Sequence, residues 1–178
     1  GVDIQKQDLV NTLTRQIATL AEIAARHGAK VSYVKPHGAL YNDAVADREK
    51  ADLIAEVIHD IDASLMFLGG PNSAMGRAAD EMGLTFIAEG FIDRRYNDDG
   101  HLVSRANPGA VIKDQTERLA QACALATSGE VKTASGKTLN INARSLCVHG
   151  DSAGAVETAR EARTAIESIG VKIKAFAS

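Results

Sequence analysis

Apolar residues recur at spacings of three and four from about Gln7 to His27. Leu9, Val10, Leu13, Ile17, Leu20 and Ala24 form one stripe, predicting an amphipathic helix that Gly28 stops. The pattern then changes. Val31 to Val34 is a β-type run of branched and aromatic side chains that ends at Lys35-Pro36-His37-Gly38. Pro36 has no backbone donor and Gly38 tolerates unusual dihedrals, so the strand must turn there. Asp47 to Asp60 is helical again, with Ala51, Ile54, Val57 and Ile58 facing inward. Leu65 to Leu68 is apolar on both faces, as a buried parallel strand requires, and breaks at Gly69-Gly70-Pro71. Asn72 or Ser73 caps a helix through Met82 that Gly83 ends.

Thr85 to Ala88 reads as the next strand, followed by an irregular stretch from Glu89 to about Pro108. Loops of that length inside a domain are usually functional or disordered. Asp114, with Glu117 three residues on, opens a helix to Ser128. Val131 to Ile141 predicts a hairpin turning at Ser135-Gly136-Lys137. Ser145 to Val148 is a strand, Ser152 to Ile169 a helix, and the alternation in Val171 to Phe176 suggests a last strand. A leading helix followed by repeated strand–helix units argues for a parallel sheet with right-handed crossovers, open or closed into a barrel. Only four or five such strands are countable, short of the eight of a closed (β/α)8 barrel.

Composition narrows the partners. At 178 residues the chain is expected to form one domain, residues 1–178. A net charge of −3 gives no attraction to nucleic acid or an anionic membrane, and 4% aromatics without Trp leave little for base stacking. No run approaches a membrane span, and no signal peptide is visible. Cys123 and Cys147 lie in apolar contexts without metal-ligand spacing, so they read as buried thiols of a cytoplasmic protein.

The chemistry collects at the strand ends. A parallel sheet brings its carboxyl ends to one edge, where α/β proteins bind ligands. The first end carries Lys35 and His37, with Tyr41 and Asn42 just beyond; the second carries Gly69, Gly70 and Asn72. The third offers Glu89, Asp93, Arg94, Arg95 and Tyr96, and the fourth His149, Gly150 and Asp151. Histidines, carboxylates and a lysine at one edge are an acid–base set, and also one that suits a divalent metal. Bland readings stand beside these. Lys35 could be a solvated charge, His37 a helix cap and Asp151 the N-cap of its helix. Gly69-Gly70 either binds an anion through its N–H groups or merely permits a turn. His27 and His59 sit at helix ends and read as solvent-facing. Gly136-Lys137-Thr138 resembles the tail of a phosphate-binding P-loop, but the required earlier glycine falls at Val131, so that reading is rejected.

Three separated stretches, VKPHGALYN, EGFIDRRYNDDGHLVSRANPGAVI and LCVHGD, together resemble the LamB/YcsF family of 5-oxoprolinase A subunits. On that resemblance Glu89, Phe91, Asp93, Arg94 and Tyr96 match one family motif, and Arg105 with Pro108-Gly109-Ala110 matches another; Ser104 stands where proline is frequent. The resemblance implies an irregular (β/α)7-type barrel, akin to the glycoside hydrolase/deacetylase superfamily, with parallel strands and outer helices. It implies ATP-dependent opening of the 5-oxoproline lactam to glutamate, with subunits B and C as partners. Lys35, His37, Glu89, Asp93, Arg94 and His149 are then the catalytic candidates, and Gly69, Gly70 and Asn72 the candidates for holding ATP. Alternatives are a metal-dependent deacetylase-like hydrolase acting on a sugar amide, and a non-catalytic ligand-binding or assembly subunit.

The family's acidic opening motif and its CGFHAGD-like and HPS-like segments are absent, and the chain starts Gly1-Val2. The expectation is a fragment holding the C-terminal two-thirds of an incomplete barrel, inactive without the remainder. Its sheet is expected to be open at Val31 to Val34, making it poorly soluble or a homo-oligomer through that edge, with an upstream segment restoring closure.

Overall fold

A computed structural model describes residues 4–151 and 154–177. The chain packs as two compact units, one running to Ile87 and including Ala177, the other Ala88–Phe176. Among the described residues no helix is long and apolar enough to cross a membrane.

In the first unit, helix α1 (Lys6–Arg26) lays Leu9 against Leu53 and Val57 of α3 (Arg48–Ile61), with Val10, Leu13 and Ile17 beside them. The inward stripe stops there. Leu20 and Ile23 are 56% and 46% exposed, so the burial expected of Leu20 is corrected. Strand β1 (Tyr33–Val34) runs parallel to β2 (Met66–Gly69), with Tyr33 opposite Met66 and Val34 opposite Phe67. Between β1 and α3 lies a helix the pattern did not predict, α2 (Gly38–Ala46). The turn signal at Pro36-His37-Gly38 was real, but Gly38, at φ 60°, opens a helix directly rather than a loop. Asp47 ends α2 and caps α3, its carboxylate accepting the Lys50 N–H at 3.2 Å.

Phe67 is fully buried, donates its N–H to the Thr85 carbonyl, and meets Phe86 edge to face at 6.0 Å. Helix α4 (Ala74–Glu81) is capped by Ser73, not Asn72: the Ser73 hydroxyl accepts the Gly76 N–H and donates to the Gly70 carbonyl at 2.6 Å.

Strand β3 (Phe86–Phe91) is longer than the sequence pattern suggested, carrying Glu89 inside the strand rather than past its end. In the second unit it pairs in parallel with β6 (Ser145–Cys147), Glu89 opposite Ser145 and Phe91 opposite Cys147. Gly90 suits close packing, because a Cβ there would lie 3.1 Å from the Ala143 Cβ and 3.2 Å from the Leu125 methyls of α5 (Gln115–Thr127). Beyond β3 the stretch to Pro108 forms no helix or strand, as expected, but isolated antiparallel bridges pair Arg94 with Val111 and Tyr96 with Leu102. The predicted hairpin forms from β4 (Glu130–Lys132) and β5 (Thr138–Asn140). Asp114 caps α5 as expected.

Helix α6 (Ala155–Ser168) starts later than predicted, with Gly154 at its N-cap. Asp151 is therefore not its cap, and Ser152 lies outside the described residues. Val171 to Phe176 forms no strand. Ile173 is exposed along with Lys172 and Lys174, so the alternating sequence has no matching alternation of burial, and the segment borders a cleft of about 860 Å3 beside α6 instead of joining a ladder. Both cysteines are half-buried rather than fully buried.

Candidate functional site

The polar centre of the second unit is Asp93 with His149. Asp93 lies two residues beyond β3 and is 2% exposed; His149 lies two residues beyond β6. Because β3 and β6 run parallel and in register, their carboxyl ends arrive together, and residues 56 apart in sequence meet. The His149 backbone N–H donates to one Asp93 oxygen at 2.9 Å, and His149 Nδ1 lies 3.0 Å from both. The imidazole stacks on Phe91 at 5.5 Å with the planes 19° apart. An ionised carboxylate only accepts, so this contact fixes the tautomer with the proton on Nδ1 and leaves the Nε2 lone pair available. A buried carboxylate orienting an imidazole in this way prepares a general base.

A hydrogen-bonded frame holds the pair. The Phe91 N–H donates to the Tyr96 hydroxyl at 2.7 Å, which fixes the strand end beneath the His149 ring. Gln121 of α5 donates to the carbonyls of both Phe91 and Arg94, at 2.8 and 2.9 Å. Arg94 is 5% exposed; its Nη2 donates to the Val103 carbonyl at 2.6 Å and its Nε to the Ala110 carbonyl at 3.4 Å. The guanidinium thus clamps both ends of the segment 103–110. At the outer face of that segment Arg105 pairs with Asp151 at 2.7 Å, both side chains about half exposed. Gln121 and Arg105 were not among the catalytic candidates, whereas Asp151 stood in the strand-end set with an N-cap as its alternative; a mid-helix glutamine gives no sequence signal, and Arg105 was marked only by the family motif.

Electrostatics follow from this packing. Burial pushes the Asp93 carboxyl up, but the side-chain and backbone hydrogen bonds from His149 outweigh it and hold the group below its ordinary range. Burial pushes the Tyr96 phenol well above its ordinary value, and the charges of Glu89 and Asp93 act the same way. Burial lowers Arg94, and Arg105 nearby lowers it further. Asp98 is held far down by Lys137, Ser135 and Thr133, which tie the β4–β5 hairpin to the turn at residues 97–100.

The depressed Asp93 carboxyl makes stability depend on pH. Its contribution is fully present above the unfolded value of about 3.9 and is lost as pH falls through the folded value. Urea unfolding of wild type and Asp93→Asn from pH 7 to pH 3 should show the wild-type advantage shrinking below about pH 4. A constant gap across that range would contradict the depressed carboxyl.

Of the predicted site residues, Glu89, Asp93, Arg94 and His149 come together in the second unit. Lys35, His37, Gly69, Gly70 and Asn72 belong to the first. Lys35 lies with its Nζ 5.9 Å from the centre of the buried Tyr41 ring. His37 occupies the N-cap position of α2, where its carbonyl accepts the Tyr41 N–H at 3.4 Å; it is exposed and makes no side-chain cap bond. Both line a cleft of about 430 Å3 whose other walls include Leu13, Ile17, Val57 and Ile58.

Gly69 and Gly70 are buried. A Cβ on Gly69 would meet the Met75 side chain at 3.0 Å, and one on Gly70 the Tyr41 hydroxyl at 3.3 Å. These glycines make room for the Met75 and Tyr41 side chains, and exposed Asn72, at φ 52°, completes the turn. Among the described residues no three His, Cys, Asp or Glu side chains form a metal-holding group, and Asp93 and His149 are engaged with each other.

The sequence matches the LamB/YcsF family over residues 1–178. It is 42% identical over 175 residues to the 5-oxoprolinase A subunit of Mycobacterium marinum, covering 98% of this chain and 69% of that protein. To the 5-oxoprolinase A subunit of Paracidovorax citrulli it is 42% identical over 177 residues, covering 99% of this chain and 70% of the relative. The crystal structure of the lactam utilization protein from Thermus thermophilus superposes with a TM-score of 0.91 at 32% identity, covering 98% of this chain and 70% of that one.

Proposed function

The chain belongs to the LamB/YcsF family, and from that footing we propose that it serves a 5-oxoprolinase as its A subunit, with the Asp93–His149 pair handling the protons of lactam ring opening. The names of its relatives supply the substrate; the observation that carries the chemistry is the buried carboxylate 3.0 Å from Nδ1 of an imidazole stacked on Phe91.

In this reading His149 Nε2 takes a proton from water as the water oxygen bonds to the lactam carbonyl carbon. The same nitrogen returns that proton to the ring nitrogen as the C–N bond breaks, giving the open amino acid. Asp93 stabilises the imidazolium in between and keeps its ring aligned. Glu89, 2% exposed on β3, adds a second buried carboxyl to the floor of the site. Arg94 acts by position, holding the segment that carries Arg105. A lactam carbonyl is a poor electrophile, which is why coupling to ATP makes chemical sense; when bound, the nucleotide would supply phosphoryl activation of the carbonyl oxygen. No step on this chain is assigned to it.

The test is reconstitution with subunits B and C, ATP and 5-oxoproline, measuring glutamate. Glutamate should appear only when this chain is present. Equal glutamate without it would overturn the proposal.

A further inference from the structure

Two arginines border the Asp93–His149 pair, and their states differ. Arg94 is buried and donates to the carbonyls of Val103 and Ala110. Arg105 stands in the segment between those carbonyls, with its side chain 48% exposed, and touches Asp151 through Nη1 at 2.7 Å. Asp151 follows His149 by two residues, so this contact ties the segment 103–110 to the loop that carries the imidazole. The charge of Arg105 also reaches the buried Arg94.

An exposed ion pair contributes little to stability, so Arg105 gives little up by exchanging or sharing its partner. A guanidinium has five N–H donors in a planar fork that matches a carboxylate, and Asp151 is met through Nη1 alone. Resting on the proposed function, we infer that Arg105 binds the free carboxylate of the lactam substrate and makes the site select cyclic amides that carry one, with Asp151 holding the guanidinium in place while the site is empty. Arg105 is a specificity residue, distinct from the acid–base pair.

The experiment uses the complete assembly with ATP, comparing wild type, Arg105→Gln and Arg105→Lys. It reads KM and kcat for 5-oxoproline, and the inhibition constant of 2-pyrrolidinone, the same ring without the carboxylate. In Arg105→Gln, KM should rise about 10–100-fold with a much smaller change in kcat, because a lost polar contact to the substrate weakens its binding. The inhibition constant of 2-pyrrolidinone should move less than about threefold, since that ring offers Arg105 nothing and a surface substitution elsewhere shifts energies only slightly. Arg105→Lys, which keeps the charge but loses the fork, should fall between. If KM and the inhibition constant rise together, or KM stays put, the carboxylate role is wrong while the lactam-opening reading stands. If wild type opens no 5-oxoproline, the reading fails and this inference with it.

Discussion

Replacing His149 with Ala is expected to lower kcat for 5-oxoproline opening by about 10²–10⁴-fold, the usual worth of a general acid–base group. The ring is the only part of the pair that can meet a substrate, since Asp93 is 2% exposed and engaged by His149 through both side chain and backbone. Stability should suffer far less. Asp93 keeps the backbone N–H of residue 149, so the loss of one charge-assisted bond costs about 1–3 kcal/mol, against a total of about 5–15 for an ordinary domain. The measurement is kcat in the reconstituted assembly beside a thermal melt of the variant. A large drop in melting temperature with normal turnover would assign the pair to the core instead of the chemistry.

Replacing Arg94 with Met should act the other way round. Its guanidinium is buried against the carbonyls of Val103 and Ala110, and Met fills much of its volume but donates nothing. Two buried acceptors would lose a donor, and segment 103–110 would lose its clamp; a destabilisation of about 2–4 kcal/mol is expected. Urea unfolding gives the magnitude, and hydrogen exchange should show the added opening at residues 103–110 before the rest of the unit. Turnover should fall too, through misplaced Arg105, and with a raised KM. Unchanged stability would return Arg94 to the role of a substrate-facing charge.

The contrast between these arginines shows what a sequence carries. Strands at Leu65 to Leu68 and Ser145 to Val148 were legible because continuous apolar runs end in glycine and polar residues, and Asp114 announced its helix through local capping chemistry. Helix α2 was missed because Pro36 and Gly38 signal a break without specifying the element beyond it. The extension of β3 through Gly90 was missed because glycine reads as a stop, whereas here it admits the Leu125 methyls. Val171 to Phe176 failed for the opposite reason: alternation fits a strand, but a strand exists only when another pairs with it. At the site, Asp93 and His149 could each be picked as strand-end residues, yet their pairing across 56 positions depends on the register of β3 and β6, which no local pattern encodes. The same holds for Arg105 and Asp151, 46 apart. Arg94 and Arg105 look alike in the sequence; burial alone separates a clamp from a contact.

The most direct test of the acid–base role is chemical rescue. His149→Gly removes the ring from between Phe91 and Asp93 and leaves a slot of imidazole shape, with a stacking face on one side and a carboxylate acceptor on the other. In the reconstituted assembly this variant should open 5-oxoproline very slowly, and added imidazole should restore glutamate formation in proportion to its concentration. A His149→Gly chain that turns over 5-oxoproline like wild type, or one that stays folded and silent at every imidazole concentration, would contradict the account.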